Sequence, residues 1–170
     1  MKRLGMIASA LALAAAPALA NDPVALAAMK DKDGADLGNV GVFETQDGLL
    51  FHIDVEGIAP GWHGFHVHQT GSCAEGFDAA GDHYNPADKG HGLMAGDGPH
   101  AGDLPNVHAD DGGRVRADIH AAQLSIEGGD APLFDEDGSA IIIHENPDSY
   151  ESDAGAGGRI ACGEIVRAEG

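Results

Sequence analysis

Beyond residue 20 the apolar positions come in short runs, many alternating with polar ones and separated by clusters of Gly, Asp, Asn and Pro. Alternation is the mark of a strand, whose successive side chains point to opposite faces. No stretch carries the spacing of a long amphipathic helix. The pattern predicts strands over 24–29, 39–46, 49–57, 64–69, 114–120, 140–145 and 159–167, with a weaker eighth near 106–109. Asp47-Gly48, between Val40-Gly41-Val42-Phe43 and Leu50-Phe51-His52-Ile53, is a tight hairpin signal because both residues tolerate positive φ. The second and third strands are therefore expected to be antiparallel neighbours. Ala140-Ile141-Ile142-Ile143 does not alternate, as for a strand buried on both faces. Short strands at regular spacing make the chain all-β, a sandwich or a closed barrel, and the pattern alone does not choose between them.

Two segments break the strand pattern: 70–102, rich in Gly, Asp and His, and 146–158, rich in Asp, Ser and Gly. Loops of that length in a compact domain are functional or disordered. The N-terminus is of another kind. Lys2 and Arg3 precede an apolar run over 4–19 that ends in Ala18-Leu19-Ala20, the form of a secretory signal with its cleavage site. Residues 1–20 are expected to be removed, leaving one domain over 21–170. About 150 residues suit one core of ordinary size. No other stretch approaches the roughly 20 apolar residues of a membrane span.

Export changes the reading of the two cysteines, Cys73 and Cys162. In an oxidising compartment a disulfide is the default, with free buried thiols the alternative. The formal charge is -19, and losing Lys2 and Arg3 lowers it by two to -21. Nucleic acid and anionic membranes are poor partners for such a chain.

The histidines carry the chemistry. On a strand, His66 and His68 of Gly-Phe-His66-Val-His68 project together, about 6.5 to 7 Å apart at the backbone, and could hold one metal. Downstream, the Gly-rich loop holds His83, His91 and His100, with Asp103 just beyond. Three imidazoles and one carboxylate suit tetrahedral zinc with every position filled by protein, a structural site that would order the long loop. His144, after the isoleucine run, is available as a further ligand. Imidazole nitrogen favours copper(II), so two metals explain the set better than one.

The stretches GWHGFHVHQTGSC, GDHYNPADKGHG, HAGDLPNVHADDGG, AIIIHE and GGRIACGEIV occur in that order. Together they resemble the bacterial periplasmic copper/zinc superoxide dismutases, over essentially the whole mature chain. The resemblance implies an eight-stranded Greek-key β-barrel with a long metal-binding loop and a shorter second active-site loop. It implies one copper per subunit on His66, His68, His83 and His144, and one zinc on His83, His91, His100 and Asp103. His83 would bridge the two as an imidazolate. Asp148 would hydrogen-bond one copper-side and one zinc-side histidine, His66 and His91, fixing their rings. Arg159 would dock the superoxide anion, with the permanent charge and donor fork that suit a small anion. A Cys73–Cys162 disulfide would tie the metal loop to the last strand.

The implied reaction turns superoxide into dioxygen and hydrogen peroxide, with His83 taking up and returning a proton. The implied compartment is the periplasm, and members of the family occur as monomers and as homodimers. A periplasmic copper/zinc buffering protein on the same barrel is the alternative; it would be expected to lack a ligand or the arginine. A secreted zinc hydrolase is disfavoured, because this zinc site has no open position. His52, His63, His108 and His120 are read as structural or surface residues, and Met94 as no copper ligand. The acidity sits badly with an anionic substrate, and Lys89 is the candidate for compensating guidance.

Overall fold

The computed structural model describes residues 22–168; the predicted leader over 1–20 lies outside the described residues. Nine strands follow in chain order: β1 (Ala25–Lys30), β2 (Asp36–Glu44), β3 (Leu49–Val55), β4 (Gly61–His63), β5 (Phe65–His68), β6 (Val107–Ala109), β7 (Val115–Ala121), β8 (Ala140–His144) and β9 (Arg159–Arg167). A 3-10 segment at Glu75–Ala80 is the helical element among the described residues, and none there is long and apolar enough to cross a membrane. β4 and β5 are one strand bent at Gly64, so the strand expected over 64–69 begins three residues earlier.

Counted that way there are eight strands among the described residues. The main sheet runs β5-β8-β9-β1-β2-β3-β7, and β4 pairs with β6, which lies against β7. The sheet thus returns on itself as a barrel, and the connections β3 to β4 and β7 to β8 skip neighbours in the Greek-key manner. The β2–β3 hairpin is present, but Glu44 pairs with Leu49, which leaves a four-residue connection. Thr45 N–H closes it on the Gly48 carbonyl, and only Gly48 has positive φ.

The inward face alternates as the sequence requires: Ala25, Ala27 and Met29 of β1, and Leu49, Phe51, Ile53 and Val55 of β3, fill the core. β8 and β5 are buried on both faces. Ile141 and Ile143 enter the barrel core, whereas Ala140 and Ile142 pack outside it with Phe77, Ala80 and Cys162, beneath the loop after β5. The Cys73–Cys162 disulfide, with Cα atoms 5.8 Å apart, ties that loop to β9 across 89 residues of sequence. Closing a loop of that size is worth about 4 to 5 kcal/mol in the chain-entropy account.

The same arrangement places Phe65 and Val67 in the core and turns His66 and His68 outward, under the segment 70–102. That segment docks on β5 by backbone bonds. Val67 N–H donates to the Gly102 carbonyl at 3.0 Å, Tyr84 N–H to Val67 O at 2.9 Å and Gly102 N–H to Tyr84 O at 2.8 Å. Tyr84 also donates its hydroxyl to the Pro132 carbonyl at 2.7 Å. Gly102 permits this approach, since a Cβ there would lie 2.2 Å from Val67 O. Gly102→Ala should therefore push the loop off β5, lowering zinc affinity and costing about 1 to 3 kcal/mol on thermal melting. Unchanged melting and zinc titration would show that the docking does not hold the loop.

Candidate metal centre

His66 and His68 come from β5, His144 from the end of β8, and His83, His91, His100 and Asp103 from the docked loop. The loop's backbone meets the strand in isolated bridges, His68 opposite His83 and His66 opposite Asp103. This sets the loop donors beside the strand donors. Two groups of donor atoms result, each with all atoms within 4.8 Å of one another: His66, His68, His83 and His144, and His83, His91, His100 and Asp103. His83 belongs to both. These are the two sets expected from the sequence, and no third such group occurs among the described residues.

The hydrogen bonds decide which nitrogen faces inward. His68 Nδ1 lies 2.9 Å from the Gly81 carbonyl, leaving Nε2 to meet His144 Nε2 at 3.4 Å. His66 Nε2 lies 2.7 Å from Asp148 Oδ2, a close contact short of ideal alignment, and its buried Nδ1 has no partner. On the other side, Nδ1 of His83, His91 and His100 crowd one oxygen, Asp103 Oδ1, at 2.8, 3.0 and 3.3 Å. Asp103 Oδ2 meanwhile accepts from the backbone N–H of Gly92 and of His100, at 2.9 and 3.0 Å. Unpartnered buried nitrogen and like donors pointed at one another are what a cation satisfies, so both sets fit metal ions.

Electrostatics favour the same outcome. Burial, aided by the charges of His83, Arg159 and His144, lowers His68 to about 2. Burial with neighbouring His66 and His83 lowers His144 to about 3, and burial also lowers His66. These rings are held neutral with lone pairs available, the form that binds metal. For Asp103, burial is the largest influence and opposes ionisation. The His83 hydrogen bond, the Gly92 N–H and the adjacent imidazoles together outweigh it, so the carboxyl stays well below its usual range. Asp148 is likewise lowered to about 2 by His66 and the Tyr150 N–H against the cost of burial.

Asp148 reaches both sets, touching His66 as above and lying with Oδ2 3.1 Å from His91 Nε2. Two residues missed in the sequence hold it. Asn106 accepts from Asp148 N–H at 2.8 Å and donates to its carbonyl at 2.9 Å, while Tyr150 N–H donates to Asp148 Oδ1 at 2.6 Å and Tyr150 hydroxyl accepts from Asn106 N–H at 2.7 Å. Arg159 donates to the carbonyls of Phe77 and Gly81 at 2.5 and 2.6 Å. The Gly81 carbonyl thus joins Arg159 to His68, and the disulfide holds the turn from which both carbonyls come.

The remaining histidines stay outside the centre. The His63 ring spans the carbonyls of His144 and Ala59 at 2.7 Å each, bracing the end of β8. His52 pairs with Asp118, His120 meets Thr45, and His108 packs edge-on to the exposed Trp62. Met94 is exposed, at 64%. Lys89 lines a cleft with Pro86, Leu93, Pro99 and the zinc-side donor His100.

A barrel carrying two adjoining donor sets that share one imidazole defines a two-metal protein scaffold. Residues 36–165 match the family model described as copper/zinc superoxide dismutase. The chain belongs to that family and is a superoxide dismutase using copper and zinc. It is 39% identical over 171 residues to copper/zinc superoxide dismutase 2 of Aquifex aeolicus, covering 97% of this chain and 99% of the relative. It is 43% identical over 147 residues to the Caulobacter vibrioides enzyme, covering 83% and 84%. Among solved structures, the Brucella abortus copper/zinc superoxide dismutase matches with TM-score 0.68 and 31% identity, over 83% of this chain and 98% of that one. A SOD-like protein from Bacillus subtilis matches with TM-score 0.79 and 35% identity, over 83% and 97%.

In the metal-free protein the lowered histidines set a pH dependence. His68 and His144 titrate near 6.5 when unfolded and far lower when folded, so below about pH 6.5 the unfolded chain binds protons that the folded chain refuses. Stability should be level above that pH and fall steadily from about 6.5 toward 3, read as the Tm of chelator-treated protein. A Tm unchanged from about pH 7 to 5 would show that the rings are not held neutral.

Proposed function

We propose that His66, His68, His83 and His144 hold the copper, and that His83, His91, His100 and Asp103 hold the zinc. The carrying observation is that His83 belongs to both donor sets. Copper held there supplies one-electron cycling, by which two superoxide anions and two protons become dioxygen and hydrogen peroxide, while zinc supplies a fixed positive charge.

The chain's own groups do the rest. With Nδ1 of His83 on the Asp103 side, Nε2 faces the copper set and is the atom that takes up a proton and hands it to the product. Asp148 fixes His66 with Nδ1 inward and His91 with Nδ1 toward Asp103, so one carboxylate orients a ring in each set. Two of Arg159's five N–H groups are spent on loop carbonyls, which stiffens the side chain and leaves three to meet an anion. We further propose that the protein works in the periplasm. The leader-like composition of residues 1–20 and the Cys73–Cys162 disulfide support this.

Reconstituted mature protein should bind one copper and one zinc and accelerate superoxide decay. His83→Ala should abolish most of that acceleration and weaken both metals, and Asp148→Asn should lower metal affinity about 10- to 100-fold. Tight binding of both metals without superoxide decay would favour metal buffering. Full activity in His83→Ala would remove the shared ring from the mechanism.

A further inference from the structure

A cleft of about 520 Å³ lies over the zinc-side donors. His83, His91 and His100 form part of its wall, and its rim carries Asp82, Asp88 and Asp153. The three carboxylates are exposed, and among the described residues none is paired with a lysine or arginine, in contrast to Asp54 and Glu127. They come from three places: Asp82 immediately before the shared histidine, Asp88 between the first two loop histidines, and Asp153 in the second loop.

The donors in the cleft wall point to the ion concerned. The Nδ1 atoms of His83, His91 and His100 converge on Oδ1 of Asp103, the zinc-side carboxylate, which is almost wholly buried. The rim carboxylates are not in that set and are not ligands. Their charge instead acts on a hydrated cation before it is bound. A concave wall bearing one sign of charge concentrates the opposite ion and can raise association rates by about 10- to 1,000-fold. On the copper side, by contrast, an anion is received by Arg159, whose own partners are neutral carbonyls.

We infer that Asp82, Asp88 and Asp153 form a cation-guiding rim through which zinc reaches His83, His91, His100 and Asp103, so that part of the chain's acidity serves metal capture. This rests on the proposed zinc assignment. The test uses the mature, disulfide-intact, metal-free protein and cobalt(II) as a visible stand-in for zinc, with uptake followed by stopped-flow absorption. Asp82→Asn/Asp88→Asn/Asp153→Asn should slow uptake about tenfold near 0.01 M ionic strength, where charges act over about 30 Å, and should match the unaltered protein near 1 M. The cobalt spectrum and the dissociation rate should be unchanged.

A control of equal charge change, Asp33→Asn/Asp47→Asn/Asp111→Asn, neutralises exposed acids elsewhere; it should slow uptake less than the rim substitutions near 0.01 M, and near 0.1 M, where charges act over about 10 Å, should leave it within about twofold of the original. Uptake unaffected by the rim substitutions, or slowed equally by the control, would overturn the guiding role. So would a changed spectrum or faster dissociation, which would make the rim residues ligands. If the unaltered protein shows no tetrahedral cobalt spectrum, the zinc assignment itself fails, an outcome distinct from failure of the rim.

Discussion

The centre depends on the docking of a long loop against the outer face of one short strand. Three backbone hydrogen bonds among Val67, Tyr84 and Gly102 bring His83 and Asp103 opposite His68 and His66. Without that contact the strand offers two imidazoles and the loop four unrelated donors. With it, one ring stands in both sets. The disulfide and the Phe77, Ala80 and Ile142 cluster hold the near end of the loop, and the Tyr84 hydroxyl helps to hold its middle. The metals in turn would hold the loop, because buried neutral histidines and a buried carboxylate are poorly placed without a cation among them.

Much of this was legible from residues close together in sequence. His66-x-His68 shares a face because strands alternate, and His83, His91, His100 and Asp103 lie within one Gly-rich stretch. The isoleucine run before His144 failed to alternate because the disulfide loop covers the outer face of β8, as the pattern suggested. What escaped was set by distant backbone. Asn106 grips Asp148 through main-chain groups 42 residues away, which no residue type announces. Tyr150 contributes its N–H and accepts through its hydroxyl, again by position. The bend at Gly64, which divides one strand into two pairings, and the four-residue β2–β3 connection were equally beyond local propensity.

Charge is distributed by task more than by total. The chain carries a formal charge of -19, yet the residue proposed to receive the anion sits among carbonyls, and carboxylates gather over the zinc-side donors. Lys89, the candidate guide in the sequence, lines a neighbouring cleft that shares His100 with the zinc-side one. Exposed charges more than a Debye length apart act nearly independently at physiological salt, so an acidic protein can present different local signs to a metal ion and to its substrate. Local potential, more than net charge, governs each approach.

The central claim is a single imidazole shared by two metals. Crystals of the protein loaded with copper and zinc, with anomalous scattering recorded at both absorption edges, test it most directly. The account predicts one copper peak bounded by His66, His68 and His144 and one zinc peak bounded by His91, His100 and Asp103, with the His83 ring between them. A lone peak, or two peaks with His83 bound to only one, would contradict it.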